Sequence, residues 1–286
     1  MPRIVVIGKS GQLASELKQL NSDLICLGRN EINLFDPIDV EQKIRALNPS
    51  SIINAAAYTA VDNAENDSQS AFNLNSIAAH NLADFCYRFN KQFIHISTDY
   101  VFNGEKGTPY KTLDYLSPAS IYGKSKAEGE VKVTNTLKNE ACIIRASWVY
   151  SQFGSNFVKT MLKLLSSKSE LSVVSDQIGS PTWAKTLAEV CLIAARHKVS
   201  GIQHWSDCGV ASWYDFAVAI QEVALEKRIL TKKIPIYPIT TQEYPTLAKR
   251  PPYSVLDKSN NDEILNKINV KHWREQLSLM LDDMLS

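Results

Sequence analysis

The chain has 286 residues, of which 44% are hydrophobic, and it carries 31 Lys and Arg against 30 Asp and Glu. This length allows a large domain and a smaller one, each with a buried core. The formal net charge of +1 supplies no overall field that would attract nucleic acid or an anionic membrane. No signal-peptide pattern opens the chain, and no apolar run reaches about 18 residues. We therefore expect neither a nucleic-acid nor a membrane partner.

The cysteines point to a reducing compartment. They are odd in number, widely spaced and form no C-x-x-C, which argues against a disulfide framework and a zinc site. We expect buried thiols in a cytoplasmic protein and assign no metal ligand; the residues are Cys26, Cys86, Cys142, Cys191 and Cys208.

The first half alternates short apolar runs with segments of helical length, which predicts a doubly wound parallel sheet. The runs contain few polar residues, as expected for strands covered by helices on both faces. The fold class is thus α/β, with a Rossmann sheet in residues 1–147 that binds a dinucleotide. Its predicted strands are 3–7, 23–27, 51–55, 92–97 and 141–146.

Beyond about Tyr150 the alternation fades, and residues 148–286 are predicted to form mainly a smaller α/β domain that binds substrate. Candidate strands there are 171–174, 201–205 and 234–239. Two segments, near 172–198 and 246–265, are expected to return to the first domain; residues 182–197 in particular are apolar enough to pack on it.

A glycine turn follows the first predicted strand and precedes a helix. One glycine there permits a tight turn, a second lets the backbone approach a pyrophosphate, and the helix N-terminus supplies amide donors. Ala14 replaces the third glycine of the usual pattern. The predicted cofactor-binding residues of this turn are Gly8, Ser10, Gly11, Gln12 and Leu13.

The end of the second strand bears on which dinucleotide binds. An NAD site usually has an acidic residue there for the ribose 2′-hydroxyl, whereas this strand ends in Leu27-Gly28-Arg29. The planar guanidinium of Arg29 suits a 2′-phosphate, so NADPH is the expected cofactor. NADH stays possible, because Glu31 or Asp36 could hold the ribose.

The pattern Tyr-x-x-x-Lys occurs twice, and its position distinguishes the two cases. Tyr87 and Lys91 lie before the fourth strand, at the wrong edge of the sheet for a ligand. Tyr122 and Lys126 follow a loop that leaves the carboxyl end of this strand, where Thr98 also lies. This second pair is therefore the candidate catalytic pair.

The three residues suit carbonyl reduction. A ketone that accepts hydride at carbon needs a proton at oxygen, and Tyr122 can donate it. Lys126 is expected to lower the phenol pKa and to bond the nicotinamide ribose. Thr98 would donate a second hydrogen bond to the ketone oxygen; a strand-end cap is its structural alternative.

Together these motifs resemble the extended short-chain dehydrogenase/reductase family, and within it the dTDP-4-dehydrorhamnose reductases. The similarity covers nearly the whole chain. It includes Gly8-x-x-Gly11-Gln12-Leu13, Asn54-Ala55-Ala56-Ala57-Tyr58, Ser97-Thr98-Asp99-Tyr100-Val101-Phe102, Tyr122-Gly123-Lys124-Ser125-Lys126, Arg145-x-Ser147-Trp148 and Asp176-Gln177-x-Gly179. Ala146 departs from the family, which commonly has Thr there.

The resemblance implies NADPH-dependent reduction of the C4 ketone of a dTDP-linked 6-deoxy sugar, giving dTDP-L-rhamnose for lipopolysaccharide O-antigen or other surface polysaccharide. Further implied cofactor-binding residues are Ala55, Ala56, Ala57, Tyr58, Asn75 and Ser97, in addition to Tyr122 and Lys126. The sugar is expected to contact Tyr100, Val101 and Trp148. Polar residues on the loops of the second domain extend the predicted substrate site: Asn156, Gln177 and Arg250.

Several alternatives stay open from the sequence. Some family members bind magnesium through acidic residues, one of which matches Glu16, but one carboxylate leaves magnesium undecided. The sequence also does not decide whether the chain forms a homodimer. Other functions of the same fold are a nucleotide-sugar epimerase or dehydratase and a regulatory subunit like that of methionine adenosyltransferase.

Overall fold

A computed structural model describes residues 3–285, so the outermost ends of the two predicted domains, residues 1, 2 and 286, lie outside it. The described strands, in chain order, are β1 (Ile4–Ile7), β2 (Ile25–Leu27), β3 (Ser51–Asn54), β4 (Gln92–Thr98), β5 (Cys142–Ala146), β6 (Val149–Tyr150), β7 (Leu171–Val174), β8 (Ile178–Gly179), β9 (Thr182–Trp183), β10 (Gly201–Trp205), β11 (Ala211–Ser212) and β12 (Ile236–Ile239).

The described helices lie between these strands and at the C-terminal end. They are α1 (Gln12–Leu20), α2 (Pro37–Leu47), α3 (Val61–Asn66), α4 (Ser68–Phe72), α5 (Ala78–Arg88), α6 (Ile121–Leu137), α7 (Phe157–Ser167), α8 (Ala184–His197), α9 (Trp213–Glu226), α10 (Glu263–Asn266) and α11 (Trp273–Leu285).

The main sheet of the described chain has six parallel strands in the order β10-β5-β4-β3-β1-β2. Its register aligns Val6 with Cys26 on one side and with Ile53 on the other. The order reverses between β1 and β3, which creates a crevice at the carboxyl ends of these strands. The predicted α/β doubly wound fold is confirmed.

Helices cover both faces of this sheet, because the side chains of each strand alternate between two apolar clusters. One cluster joins α1 and α8 to residues such as Val6 and Ile144, and the other joins α2, α5 and α6 to residues such as Val5 and Ile143. A strand buried on both faces favours apolar residues at every position.

The structure corrects the placement of residues 201–205. They were expected among the strands of the smaller domain, but they form β10, which pairs with β5 at the edge of the main sheet. The physical reason is the helix α8, which packs on α1 and returns the chain to this edge. Residues 172–174 of the predicted return segment instead belong to β7, which pairs in parallel with β12 as part of the smaller domain.

A second apolar core lies outside the sheet. It is formed by α7, α9 and α11 together with β7 and β12, and includes the fully buried Leu165, Phe216, Ile220 and Leu277. Among residues 3–285, no helix is both long and apolar enough to cross a membrane.

Candidate active site

A cavity of about 940 Å³ opens at the carboxyl ends of the parallel strands and is shared by the two cores. Its floor includes the β1–α1 turn and the segments that follow β3 and β4, and its far wall includes α7, β7 and the first residue of α9. The strand order reverses at this point, so the cavity occupies the crevice where doubly wound folds bind ligands.

The glycine turn has the geometry that a pyrophosphate requires. Gly8 has φ +114°, and a Cβ there would lie 3.3 Å from the Ala55 carbonyl carbon and from the Ala56 nitrogen. Gly11, the N-cap of α1, has no side chain that could cap the first amides of the helix. These amides stay available to an anion, and the described turn therefore fits the pyrophosphate of a dinucleotide.

All but one of the predicted cofactor-binding residues of the glycine turn line the cavity, together with those directly after β3. They are Ser10, Gly11, Gln12, Leu13, Ala55, Ala56 and Ala57. Ser97 also lines it, and its hydroxyl oxygen has no hydrogen-bond partner within the described protein although it is buried.

The structure brings Thr98, Tyr122 and Lys126 together on one wall of this cavity. Thr98 ends β4, while the other two lie on the first turns of α6. Ser120 begins this helix, because its hydroxyl accepts a hydrogen bond from the Gly123 amide at 3.1 Å. A Cβ on Gly123 would lie 2.3 Å from the Tyr100 carbonyl oxygen, so glycine is required for the helix to pack this closely.

Burial controls the protonation of the pair on α6. It raises the pKa of the Tyr122 phenol to about 12, despite a hydrogen bond with Thr98 that lowers it. It also lowers the pKa of Lys126 to about 8, against the attraction of Glu130. The Lys126 ammonium donates to the Ile96 carbonyl oxygen at 2.6 Å. The expected lowering of the phenol pKa by Lys126 is absent, and desolvation decides the direction of the shift.

Asp99 is a buried member of the site that sequence reasoning missed. The Thr98 hydroxyl donates a hydrogen bond to Asp99 Oδ1 at 3.0 Å. Burial raises the pKa of the Asp99 carboxyl to about 6, although Ser254 and Thr98 lower it through hydrogen bonds. Its position directly after the strand-end Thr98 is the one sequence signal that marks it.

Five predicted cofactor-binding residues lie outside the cavity lining: Gly8, which shapes the turn, and Arg29, Asp36, Tyr58 and Asn75. Arg29 is exposed. Asp36 is exposed too, and its carboxylate caps α2 by accepting from the Ile38 amide at 2.9 Å. The Asn75 side chain exchanges hydrogen bonds with the Tyr58 backbone and donates to Ser125 Oγ at 2.9 Å, which fixes the loop after β3 against α6. Asp36, Tyr58 and Asn75 are therefore supporting residues in this structure.

An ion pair lies beside the glycine turn, at the end of β2. Glu31 accepts a hydrogen bond from the Gly28 amide at 2.9 Å, and the Lys9 ammonium pairs with the same carboxylate. This pairing lowers the pKa of Glu31. The end of β2 thus places the charged groups of Lys9, Arg29 and Glu31 near the position where the ribose of a dinucleotide would lie.

Five of the six predicted substrate-binding residues line the cavity: Tyr100, Trp148, Asn156, Gln177 and Arg250. Val101 does not. It is fully buried and packs in a small apolar cluster with Phe102 and Tyr110. The prediction for this side chain is wrong because the turn after β4 directs it into the protein.

The wall opposite Thr98 and Tyr122, called the second wall below, contains Asn156, Gln177 and Arg250, and these side chains are already paired with protein atoms. Asn156 caps α7 and donates to Gln12 Oε1 at 3.0 Å. Gln177 donates to the Thr241 hydroxyl at 3.0 Å. The Arg250 guanidinium makes two hydrogen bonds to the Asp62 carboxylate, at 3.1 and 2.7 Å, and these lower the pKa of Asp62.

Comparison with known proteins agrees with this geometry. The profile of the RmlD substrate binding domain family matches residues 2–286. The chain is 40% identical to dTDP-4-dehydrorhamnose reductase of Aggregatibacter actinomycetemcomitans, with 97% of both chains covered. The chain belongs to the dTDP-4-dehydrorhamnose reductase family.

Two further relatives add detail. The spore coat polysaccharide biosynthesis protein SpsK of Bacillus subtilis is 43% identical over 99% of this chain and 98% of its own. The crystal structure of dTDP-4-dehydrorhamnose reductase from Bacillus anthracis in complex with NADP matches with a TM-score of 0.91, 34% identity and 99% coverage of both chains. Membership in this family makes the chain an NADP-dependent reductase.

Glu16 is the residue for which the resemblance leaves magnesium open. Glu16 is fully buried, accepts a hydrogen bond from Ser151 at 2.6 Å, and its pKa is raised by burial. In the described part of the chain, no three His, Cys, Asp or Glu side chains form a group that could hold a metal ion. The other oxygen of the Glu16 carboxyl, Oε2, is buried without a hydrogen-bond partner among the described residues.

Proposed function

We propose that this chain reduces the C4 ketone of dTDP-4-dehydro-6-deoxy-L-mannose to give dTDP-L-rhamnose, with NADPH as the preferred cofactor. The observation that carries the proposal is the convergence of Thr98, Tyr122 and Lys126 in a cavity whose floor is the glycine turn. The nicotinamide, when bound, supplies the hydride.

Tyr122 acts as the proton donor to O4 of the sugar. Its raised pKa keeps the phenol protonated near neutral pH, which is the state that a reduction needs. Thr98 donates a second hydrogen bond to the same oxygen as negative charge develops there. For this, the Thr98 proton that now points to Asp99 must turn towards the substrate.

Lys126 is placed to orient the cofactor ribose and to stabilise the phenolate left after proton transfer. Its low pKa, about 8, makes it a proton acceptor as well as a donor near neutral pH. The glycine turn would hold the pyrophosphate, and Trp148, Tyr100 and Arg250 would contact the sugar diphosphate.

The product would serve a cell-surface polysaccharide, a lipopolysaccharide O-antigen or a spore-coat polymer, since one relative is a spore coat polysaccharide protein. Free thiols at all five cysteines fit a reaction in the cytoplasm. Homodimer formation stays part of this proposal, to be measured by light scattering.

The test is direct reduction of the purified keto sugar, followed by NADPH absorbance and by NMR of the product. One NADPH should be consumed for each dTDP-L-rhamnose formed. Accumulation of a C4 epimer other than rhamnose would assign a different reductase specificity. Isomerised product without net NADPH consumption would instead indicate an epimerase and contradict the proposal.

A further inference from the structure

Trp148 has a strained backbone at the point where the chain leaves the main sheet. It lies between β5 and β6 and has φ +48°. A bulky residue avoids this left-handed region, because its Cβ crowds the neighbouring carbonyl oxygen. Such strain persists only where the surroundings impose it, and it is typical of functional sites.

Trp213 provides one of the contacts that hold this conformation. The two indoles stack with their ring centroids 3.5 Å apart and their planes inclined by 3°. Phe157 supports Trp213 from the side, at a centroid distance of 4.6 Å. Trp213 is the first residue of α9, whose start is fixed by a capping box between Ser212 and Asp215. The capped start of α9 therefore fixes the backbone that carries the Trp213 ring.

Gly179 provides the second contact. A Cβ on this residue would lie 2.5 Å from both Cε2 and Nε1 of the Trp148 indole, closer than any side chain could tolerate. Gly179 pairs with Ala211, two residues before Trp213. The strand pair β8–β11 thus brings both contacts to the same indole.

The backbone on either side of Trp148 is fixed as well. The Ser147 hydroxyl donates to the Ser180 carbonyl oxygen at 2.7 Å, and the Thr182 amide donates to the Trp148 carbonyl oxygen at 3.2 Å. Both partners belong to the segment that follows Gly179. The indole is therefore held through its ring and through its main chain.

We propose that Trp213 and Gly179 are positioning residues that hold the Trp148 indole as a rigid wall beside the reacting ketone. Both tryptophans line the cavity that contains Tyr122. A flat indole offers dispersion contacts to the carbon-bound hydrogens of a deoxy sugar. The role towards the sugar rests on the proposed function, whereas the stack is independent of it.

Circular dichroism tests the stack without any substrate. Indoles held in one fixed orientation give strong near-ultraviolet bands, and a loosened ring loses them. Trp148→Leu and Trp213→Leu should each remove more than one tryptophan's share of these bands, because each change also frees the other ring, and Gly179→Ala should weaken them. Trp273→Phe, a buried change in the second core outside the cavity, should remove only its own share. Losses confined to one ring's share in both leucine variants, or unchanged bands in Gly179→Ala, would overturn the proposed packing.

Kinetics then test what the stack does. Trp213→Leu and Gly179→Ala should lower kcat/KM for the keto sugar by about tenfold to a hundredfold, since misplacement by about 1 Å has effects of that size. The Kd for NADPH should stay unchanged. Trp213→Phe, which keeps an aromatic ring, should retain most of the activity, and Gly107→Ala, where a Cβ meets open space, should behave as wild type.

A double-mutant cycle separates positioning from general loss of structure. If Trp213 acts through Trp148, Trp213→Leu should cost little further activity in a Trp148→Leu background. Equal losses in both backgrounds would refute the positioning role. Thermal unfolding of each variant identifies any that simply fold poorly. Because circular dichroism judges the stack alone, its outcome separates a failure here from a failure of the proposed function.

Discussion

The two walls of the cavity differ in how their polar groups are used. On the wall formed by the main sheet, Ser97 presents a buried hydroxyl oxygen that has no hydrogen-bond partner among residues 3–285, and Tyr122 faces the same space. On the opposite wall, Gln177 and Arg250 are already engaged, by Thr241 and Asp62 respectively. The wall formed by the main sheet, the first wall, thus offers Ser97 unpaired, although Thr98 must release Asp99. The opposite wall, the second wall, must exchange the protein partners of both Gln177 and Arg250 for a ligand.

This difference has consequences for how each wall binds. A ligand group that meets an unsatisfied buried atom gains a hydrogen bond with no competing loss. A diphosphate that engages Arg250 must compete with a carboxylate that already occupies two of its donors. Variants on the first wall should therefore affect the chemical step, and variants on the second should affect affinity.

The largest effect is expected for Tyr122→Phe, which keeps the ring and removes the proton donor. With saturating substrate, kcat should fall by roughly 10²–10⁴-fold, the usual contribution of general acid catalysis. The NADPH Kd should change little. Tyr87→Phe is the matched control, since Tyr87 begins the other Tyr-x-x-x-Lys and is 64% exposed. Near wild-type turnover by Tyr122→Phe would remove the assigned acid.

Replacing Asp99 should change how the free energy of unfolding depends on pH. Its pKa rises from 3.8 to about 6 on folding. A raised folded-state pKa contributes stability that is fully present below pH 3.8 and is lost as pH rises through about 6. At about 1.36 kcal/mol for each pKa unit, the loss is about 3 kcal/mol. Asp99→Asn should abolish this contribution.

Urea unfolding between pH 4 and pH 8 measures the contribution of Asp99 to the free energy of unfolding. The difference in unfolding free energy between wild type and Asp99→Asn should shift in favour of the variant as pH rises. This comparison cancels Asp207, whose pKa burial also raises, to about 7. A difference that stays constant with pH would mean that Asp99 is not the titrating group.

The sequence predicted the first wall well and the second only in part. Thr98 ends a strand, and Tyr122 and Lys126 lie one turn apart on one helix, so local geometry and residue type suffice to place them. The Asp62 partner of Arg250 is 188 residues away, and no spacing rule connects the two. The same holds for the Trp148–Trp213 stack, which depends on the packing of α9.

Chain topology explains the remaining misplacement. The apolar run at 201–205 has no feature that assigns it to one sheet or another, because strands in both would be apolar. Only the packing of α8 on α1 returns it to β5. The direction of the Val101 side chain is not predictable from the sequence for a related reason, since it depends on a short 3₁₀ turn, Asp99–Val101, directly after β4.

An intermediate effect is expected on the second wall. Arg250→Ala should weaken binding of dTDP by about tenfold to a hundredfold, because a charge-assisted hydrogen bond to phosphate is lost. NADPH affinity should be unaffected. Asp62→Asn removes the competing charge and should tighten dTDP binding severalfold. Isothermal titration of the three proteins decides the matter: equal dTDP affinity in wild type and Arg250→Ala would place the diphosphate elsewhere.

The smallest effect is expected at the rim of the first wall, where Arg29 is exposed and Lys9 is paired with Glu31. If Arg29 holds the 2′-phosphate of NADPH, Arg29→Ala should raise the NADPH Kd by about tenfold, the value of one exposed charge-assisted contact, and leave the NADH Kd unchanged.

Glu31→Gln sharpens this test, because it releases the Lys9 ammonium and removes a carboxylate that repels phosphate. It should increase the ratio of NADH Kd to NADPH Kd, opposite to the effect of Arg29→Ala. Arg45→Ala, an exposed change on α2, serves as control. Fluorescence titration with both cofactors gives the two constants. If Arg29→Ala weakened binding of NADPH and of NADH equally, Arg29 would not contact the 2′-phosphate. If only Glu31→Gln changed the ratio of the two Kd values, Lys9 would be the residue that holds this phosphate.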